Sequence, residues 1–166
     1  MSDLSRLSPD LQDKPPCCRA IVESPKGGRA KLAYDPKSGA FEVKRMLPDG
    51  MSFPLDFGFV PGILGEDGDP LDILVLNDEP AAVGALMRVR LVGVLEAEQT
   101  EDGETVRNDR ILAVAEVSHL FAHVTAPGDR WENYGALRGA TFKPLGLRDA
   151  AQALQNIRKG LIGQPR

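Results

Sequence analysis

Short runs of apolar and β-branched residues, broken repeatedly by Gly, Pro or Asp, dominate the chain. The runs fall at Ala20–Val22, Lys31–Tyr34, Ala40–Val43, Ile73–Leu76, Leu86–Leu95 and Ile111–Val117. Their length and composition predict strands. The breakers DPKSG, LPDG, EDGDP and EDGE lie between them. Asp102–Glu104 reads as the turn of a long hairpin whose first arm is Leu86–Leu95. The spacing changes near the end, where Leu147, Ala150, Ala151, Leu154, Ile157 and Leu161 recur at helical intervals with Gly160 as a stop. Many short strands closed by one helix predict an α+β, mainly β, chain built around a small barrel.

Composition narrows this picture. A chain of 166 residues reads as one domain able to bury a core unaided. Its 20 Lys and Arg against 24 Asp and Glu give a net charge of −4, and 5% of its residues are aromatic. Neither property suits a nucleic-acid partner. No apolar run has the length of a membrane span. The opening MSDLSRLSPDLQDKPP lacks a signal-peptide core and predicts a flexible tail over residues 1–16, ahead of a single domain over 17–166. Cys17 and Cys18 are neighbours and cannot staple distant segments, which favours a reducing, cytoplasmic setting.

The stretch Gly65-Glu66-Asp67-Gly68-Asp69-Pro70-Leu71-Asp72 places four carboxylates in eight residues, directly ahead of the apolar Ile73–Leu76. Pro70 and the glycines exclude a helix, so the acids belong to a loop entering a strand. Asp67 and Asp69 can point the same way if the loop is extended, with Asp72 folding back beside them. A calcium loop of the EF-hand kind fails, because Leu71 takes a ligand position and Asp72 the required glycine. A solvated acidic turn is the plain alternative to a divalent-metal site. If a metal binds, an all-oxygen set suits Mg²⁺ or Mn²⁺ better than Zn²⁺.

This D-x-D-P-L-D motif before an apolar strand resembles the signature of the family I soluble inorganic pyrophosphatases. The resemblance runs from about Arg19 to Leu147. Ile21-Val22-Glu23-Ser24-Pro25 is similar to the family's opening strand, whose Glu faces the metals. Lys31 and, beyond Tyr34–Phe41, Arg45 match two phosphate-binding cations. Phe53–Pro61 resembles the aromatic-Gly-aromatic segment ahead of the aspartates, and Trp131-Glu132-Asn133-Tyr134 the segment with a substrate-binding Tyr. Val92–Leu95 and Ile111–Val114 match the strands flanking a second acidic loop.

The resemblance implies a five-stranded closed barrel of the oligonucleotide/oligosaccharide-binding type, with extra hairpins and a C-terminal helix. It implies a homo-oligomer that hydrolyses pyrophosphate to two phosphates with Mg²⁺, Mn²⁺ being a possible substitute. Glu23, Asp67 and Asp72 would be metal ligands and Asp69 the general base that orients a water. Lys31, Arg45 and Tyr134 would bind the phosphates. The family's other loop aspartate corresponds to Gln99, Glu101 or Asp102, of which Asp102 is the candidate ligand.

The chain also departs from the pattern. Phe57 stands where the family generally has Tyr, and Gly135 where a substrate-binding Lys is expected. The Glu98–Glu104 loop is longer than usual and leads to Asn108-Asp109-Arg110 in place of Asp-x-Lys. Asn108 therefore takes a metal-ligand position and Arg110 that of a phosphate-binding lysine. Ser118–Asn133 is short, as if most of an intervening helix were missing. These departures leave a second possibility, a degenerate relative that binds phosphate or a protein with little turnover. His119 and His123 are four apart, but Thr125–Gly128 stops any helix there, so imidazoles without a metal role are the expectation. Gly62, Gly65 and Gly68 serve turns, since no helix follows them.

Overall fold

The computed structural model describes residues 2–128 and 142–161. Residues 129–141, and with them Trp131–Tyr134 and Gly135, lie outside the described set, as do the side chains of Glu101 and Phe142. Ten strands and one α-helix follow in the order β1 (Gln12–Asp13), β2 (Pro16–Ser24), β3 (Ala30–Asp35), β4 (Ala40–Met46), β5 (Asp56–Leu64), β6 (Pro70–Leu76), β7 (Leu86–Glu101), β8 (Glu104–Arg107), β9 (Arg110–Ala115), β10 (Phe142–Asp149) and α1 (Ala150–Lys159). Pairing runs β2–β5–β6–β9–β7, and β7 returns to β2, which closes a five-stranded barrel. All of its pairs are antiparallel except β6–β9. Closure removes the open edges that such a sheet would otherwise expose. Strands β1, β8 and β10 extend the sheet, and β3–β4 form a separate hairpin.

Two apolar clusters explain why β6 and β9 read as continuous hydrophobic runs. One gathers Ile73, Val75, Ile111 and Ala113 with residues from the other three barrel strands. The other gathers Leu74, Leu76, Leu112 and Val114 under Leu47, Phe53 and Val124. Alternate residues point to opposite faces, so both faces of these strands are covered. Helix α1 contributes Ala153 and Ile157, both fully buried, to the first cluster.

The helix is shorter than the spacing predicts. Leu147 belongs to β10, and Asp149 caps the helix by accepting a hydrogen bond from the Gln152 amide at 3.0 Å. Leu161 lies beyond Gly160 and bridges to Ile63. The Gly160 carbonyl accepts from the Leu64 amide at 2.8 Å, which docks the helix end where β5 enters the acidic loop. Strands β1, β5, β8 and β10 lie outside the periodic runs, and β7 continues six residues past Leu95, to Glu101.

The segment expected as a flexible tail is laid against the barrel. Leu4–Arg6 form a turn of 3₁₀ helix capped by Asp3, and the Leu4 amide donates to the Tyr34 hydroxyl at 3.0 Å. Arg19 donates its amide to the Pro9 carbonyl at 2.8 Å, and Arg88 pairs with Asp10 at 2.5 Å.

Candidate active site

A cavity of about 720 Å³ opens beside β2, β5, β6 and the β3–β4 hairpin. The acidic loop enters it as a tight turn. Gly65 donates its amide to the Asp69 carbonyl at 2.7 Å, and the Asp67 carboxylate accepts from the Asp69 amide at 3.0 Å. Pro70 then starts β6, which carries Asp72 to the cavity wall. Asp67, Asp69 and Asp72 therefore line one cavity, as the loop-into-strand reading expects.

Glu23 reaches the same wall from β2 through an irregular register. Val22 pairs with Gly58 and Ser24 with Phe57, so Glu23 is an inserted residue opposite the β5 ladder. Its carboxylate is only 8% exposed and accepts from the Tyr34 amide at 2.7 Å. Burial pushes the Glu23 carboxyl up to about 7, with Asp72 adding repulsion, while the Tyr34 hydrogen bond and Lys31 oppose the rise. Burial is also the leading cause that lifts Asp72 to about 6. Arg110 and Lys31 counter it, and Asp67 and Asp69 reinforce it.

The cations come from two further elements. Lys31 projects from β3, and burial pulls its ammonium downward in pKa against the attraction of Asp72. Arg110 opens β9, is 8% exposed and places Nε 3.7 Å from Asp72 Oδ2. Arg45 differs from the other candidates. It faces Lys31 across the β3–β4 ladder but is exposed, and its neighbour Lys44 lines the cavity instead. Tyr134, the remaining candidate, lies outside the described residues.

The β7–β8 hairpin supplies the opposite rim. Asp102 and Glu104 line the cavity from its tip, together with Gln99 and Asn108 from its arms. The Asn108 amide nitrogen donates to Gln99 Oε1 at 2.6 Å. Asp109 points elsewhere, accepting from the Ala97 amide at 3.0 Å and pairing with Arg107 at 3.0 Å. It lines a second cavity of about 480 Å³ between the acidic loop and the end of α1, which shares Asp67, Asp72 and Asn108 with the first. The larger cavity is the chemical candidate, because only there do Glu23, Asp69, Lys31 and Arg110 join them.

Tyr34 is a cavity residue that the sequence reading gives no role. Tyr34 stacks on Phe59 at 6.0 Å, a contact between strands far apart in sequence that no local signal reveals. Glu104, on the lengthened loop, is one of the acids with the reach to replace the charge missing at Asn108, and it lines the cavity. His119 sits in turn structure, where its backbone amide donates to Asp78 at 3.0 Å.

Among the described residues, no three His, Cys, Asp or Glu side chains are already gathered as a ligand set. The donors still fit a hard divalent cation. They are all oxygens, and two of them, on the buried Glu23 and the half-buried Asp72, are carboxyls whose pKa values desolvation raises.

A closed five-stranded barrel whose rim sets carboxylates against the half-buried Lys31 and the buried Arg110 defines the class. The chain matches the family model for inorganic pyrophosphatase over residues 20–161. It is 34% identical over 172 residues to the inorganic pyrophosphatase of Thermus thermophilus, covering 95% of each chain. It is 37% identical to that of Nostoc sp., covering 76% of this chain and 72% of the relative. The solved Thermus thermophilus structure superposes with a TM-score of 0.80 at 32% identity and covers 95% of both chains. An inorganic pyrophosphatase structure from Neisseria gonorrhoeae gives 0.77 at 26% identity, covering 93% of this chain and 94% of that one. The chain belongs to the inorganic pyrophosphatase family.

Proposed function

We propose that this protein hydrolyses inorganic pyrophosphate to two phosphates, using divalent cations held at the acidic loop. The observation that carries the reading is the single cavity shared by Glu23, Asp67, Asp69, Asp72, Lys31 and Arg110. Asp67, Asp72 and Glu23 would hold the cation, with Asp102 and Asn108 reaching from the hairpin. A divalent cation bound there neutralises phosphate charge and acidifies water. Asp69 orients the attacking water and takes its proton. Lys31 and Arg110 hold phosphate oxygens by charge-assisted hydrogen bonds and stabilise the charge that develops on them. Arg45 and Tyr134 are proposed to complete that grip.

The metal is proposed to be Mg²⁺, with Mn²⁺ as a substitute, since oxygen donors suit both. We further infer a cytoplasmic homo-oligomer whose pyrophosphatase domain spans residues 17–166, with no nucleic acid or membrane as partner. A domain of that extent agrees with the family match over 20–161. No described helix is long and apolar enough to cross a membrane. A degenerate module without turnover is not favoured, because the acids and cations that the reaction needs face one another in one cavity.

Phosphate release from pyrophosphate tests the reading. Turnover is expected with Mg²⁺ and Mn²⁺ and none in excess chelator, because substrate and carboxylates otherwise repel. Turnover in chelator, or none with either metal over a wide concentration range, overturns it.

A further inference from the structure

We propose that Phe57 is a positioning residue whose ring face holds Lys31 and Arg110 at the spacing they need to grip a diphosphate. The proposal rests on the reading of those two side chains as phosphate-binding. Lys31 Nζ lies 5.9 Å from the ring centroid and Arg110 Cζ 5.4 Å. The two cations come from different elements, β3 and β9, and repel one another, which contributes to the lowered pKa of Lys31. One carboxylate, Asp72, attracts both. The aromatic face adds a second, uncharged attraction at the same point, and such contacts strengthen where water is excluded.

The ring is itself fixed. Phe57 is 6% exposed, packs against Phe53 at 6.0 Å, and belongs to the cluster under the barrel wall. A buried ring in a set position can enforce a distance between flexible side chains, which Asp72 alone cannot do. Phenylalanine has no hydroxyl to bond a phosphate, so its contribution to binding runs through the two cations.

Replacing Phe57 by phenylalanines carrying one, two and three ring fluorines tests this, since fluorine drains the ring face and barely alters shape. The readout is calorimetric affinity for imidodiphosphate in Mg²⁺, with KM and kcat for pyrophosphate measured alongside. Affinity is expected to fall stepwise, reaching about tenfold at three fluorines, with KM rising in parallel and thermal stability unchanged. In Lys31→Met the fluorine series should flatten, because one of its two targets is gone. Equal affinity across the series while Lys31→Met weakens binding overturns the role of Phe57 and leaves the phosphate-binding reading standing. If Lys31→Met and Arg110→Met both bind imidodiphosphate like the parent, that reading fails first, and this proposal with it.

Discussion

Gly58→Ala is expected to unfold or severely loosen the barrel, although it adds one methyl group. Gly58 is in the middle of β5, opposite Val22 on one side and Ile73 on the other. A Cβ there would lie 1.9 Å from the Ile21 carbonyl oxygen, 2.8 Å from its carbon and 3.0 Å from Val22 Cα. All three are backbone atoms, so no rotamer change relieves the clash. Strands β2 and β5 must part by about 1 Å before the contact becomes tolerable. Overpacking costs about 1–3 kcal/mol, and each ladder hydrogen bond lost adds about 1 kcal/mol. A loss of roughly 3–5 kcal/mol follows, a large share of the ~5–15 kcal/mol that holds a domain together.

Urea unfolding followed by circular dichroism measures this directly, with Gly146→Ala as the reference. A Cβ on Gly146 meets nothing within 4 Å, so that change should be neutral or stabilise by up to about 1 kcal/mol. The clash also sits beside Glu23 and Phe57, so activity in whatever remains folded should fall with stability. If Gly58→Ala unfolds within about 1 kcal/mol of the parent at the same slope, the close approach of β2 and β5 is wrong.

Asp72→Asn should weaken Mn²⁺ binding on the order of tenfold or more, whereas Asp69→Asn should leave it nearly intact and cut turnover about 100-fold; equal affinity losses by calorimetry contradict that division. Asn108→Asp should lower the half-saturating Mg²⁺ concentration several-fold by adding an anion to the cavity, and changing Asp102 and Glu104 to amides should raise it; no response to either change removes the hairpin from the metal site. Asp78 accepts hydrogen bonds from the Ser118 hydroxyl, at 2.7 Å, and from the amides of His119 and Leu120, and the Ser118 bond leads in holding its pKa below the usual range. A depressed carboxyl stabilises above its unfolded value and ceases to as pH falls through its folded one, so Asp78→Ala should lower the melting temperature at pH 7, with the gap closing below roughly pH 4. A gap that persists unchanged at pH 3 contradicts this.

The barrel's legibility in sequence follows from which strands obey local rules. Ile73–Leu76 and Ile111–Ala115 are apolar runs rich in Ile and Val, bounded by turn residues and buried on both faces, so their composition alone suggests them. Strand β5 was hidden because Gly58, Pro61 and Gly62 look like breakers. They are tolerated for tertiary reasons, Gly58 for the close approach to β2 and Gly62 for a φ of +75° against Leu7. Strand β10 contains Pro144 and Gly146, which a strand that pairs, among the described residues, only with β7 can carry. Leu147 kept helical spacing by coincidence, and the capping Asp149 marks the true start. At the site, the aspartate motif was readable because one loop supplies it. The insertion that turns Glu23 inward, the Gln99–Asn108 bond and the exclusion of Arg45 from the cavity wall depend on how distant segments meet.

The charge of the cavity ties metal and substrate together. Among the described residues, six carboxylates line it, on Glu23, Asp67, Asp69, Asp72, Asp102 and Glu104, against the three cations Lys31, Lys44 and Arg110. A polyanion entering that excess of negative charge meets net repulsion, and burial makes the repulsion stronger than it would be in water. Divalent cations would invert the balance, so the acids proposed to hold them would also make phosphate binding conditional on them. Asn108 and Gln99, neutral and bonded to each other, lessen the excess on the hairpin side. On the proposed reading, the acidic loop and Glu23 are the main source of attraction for metal, opposite the Lys31–Phe57–Arg110 group proposed to receive the phosphates.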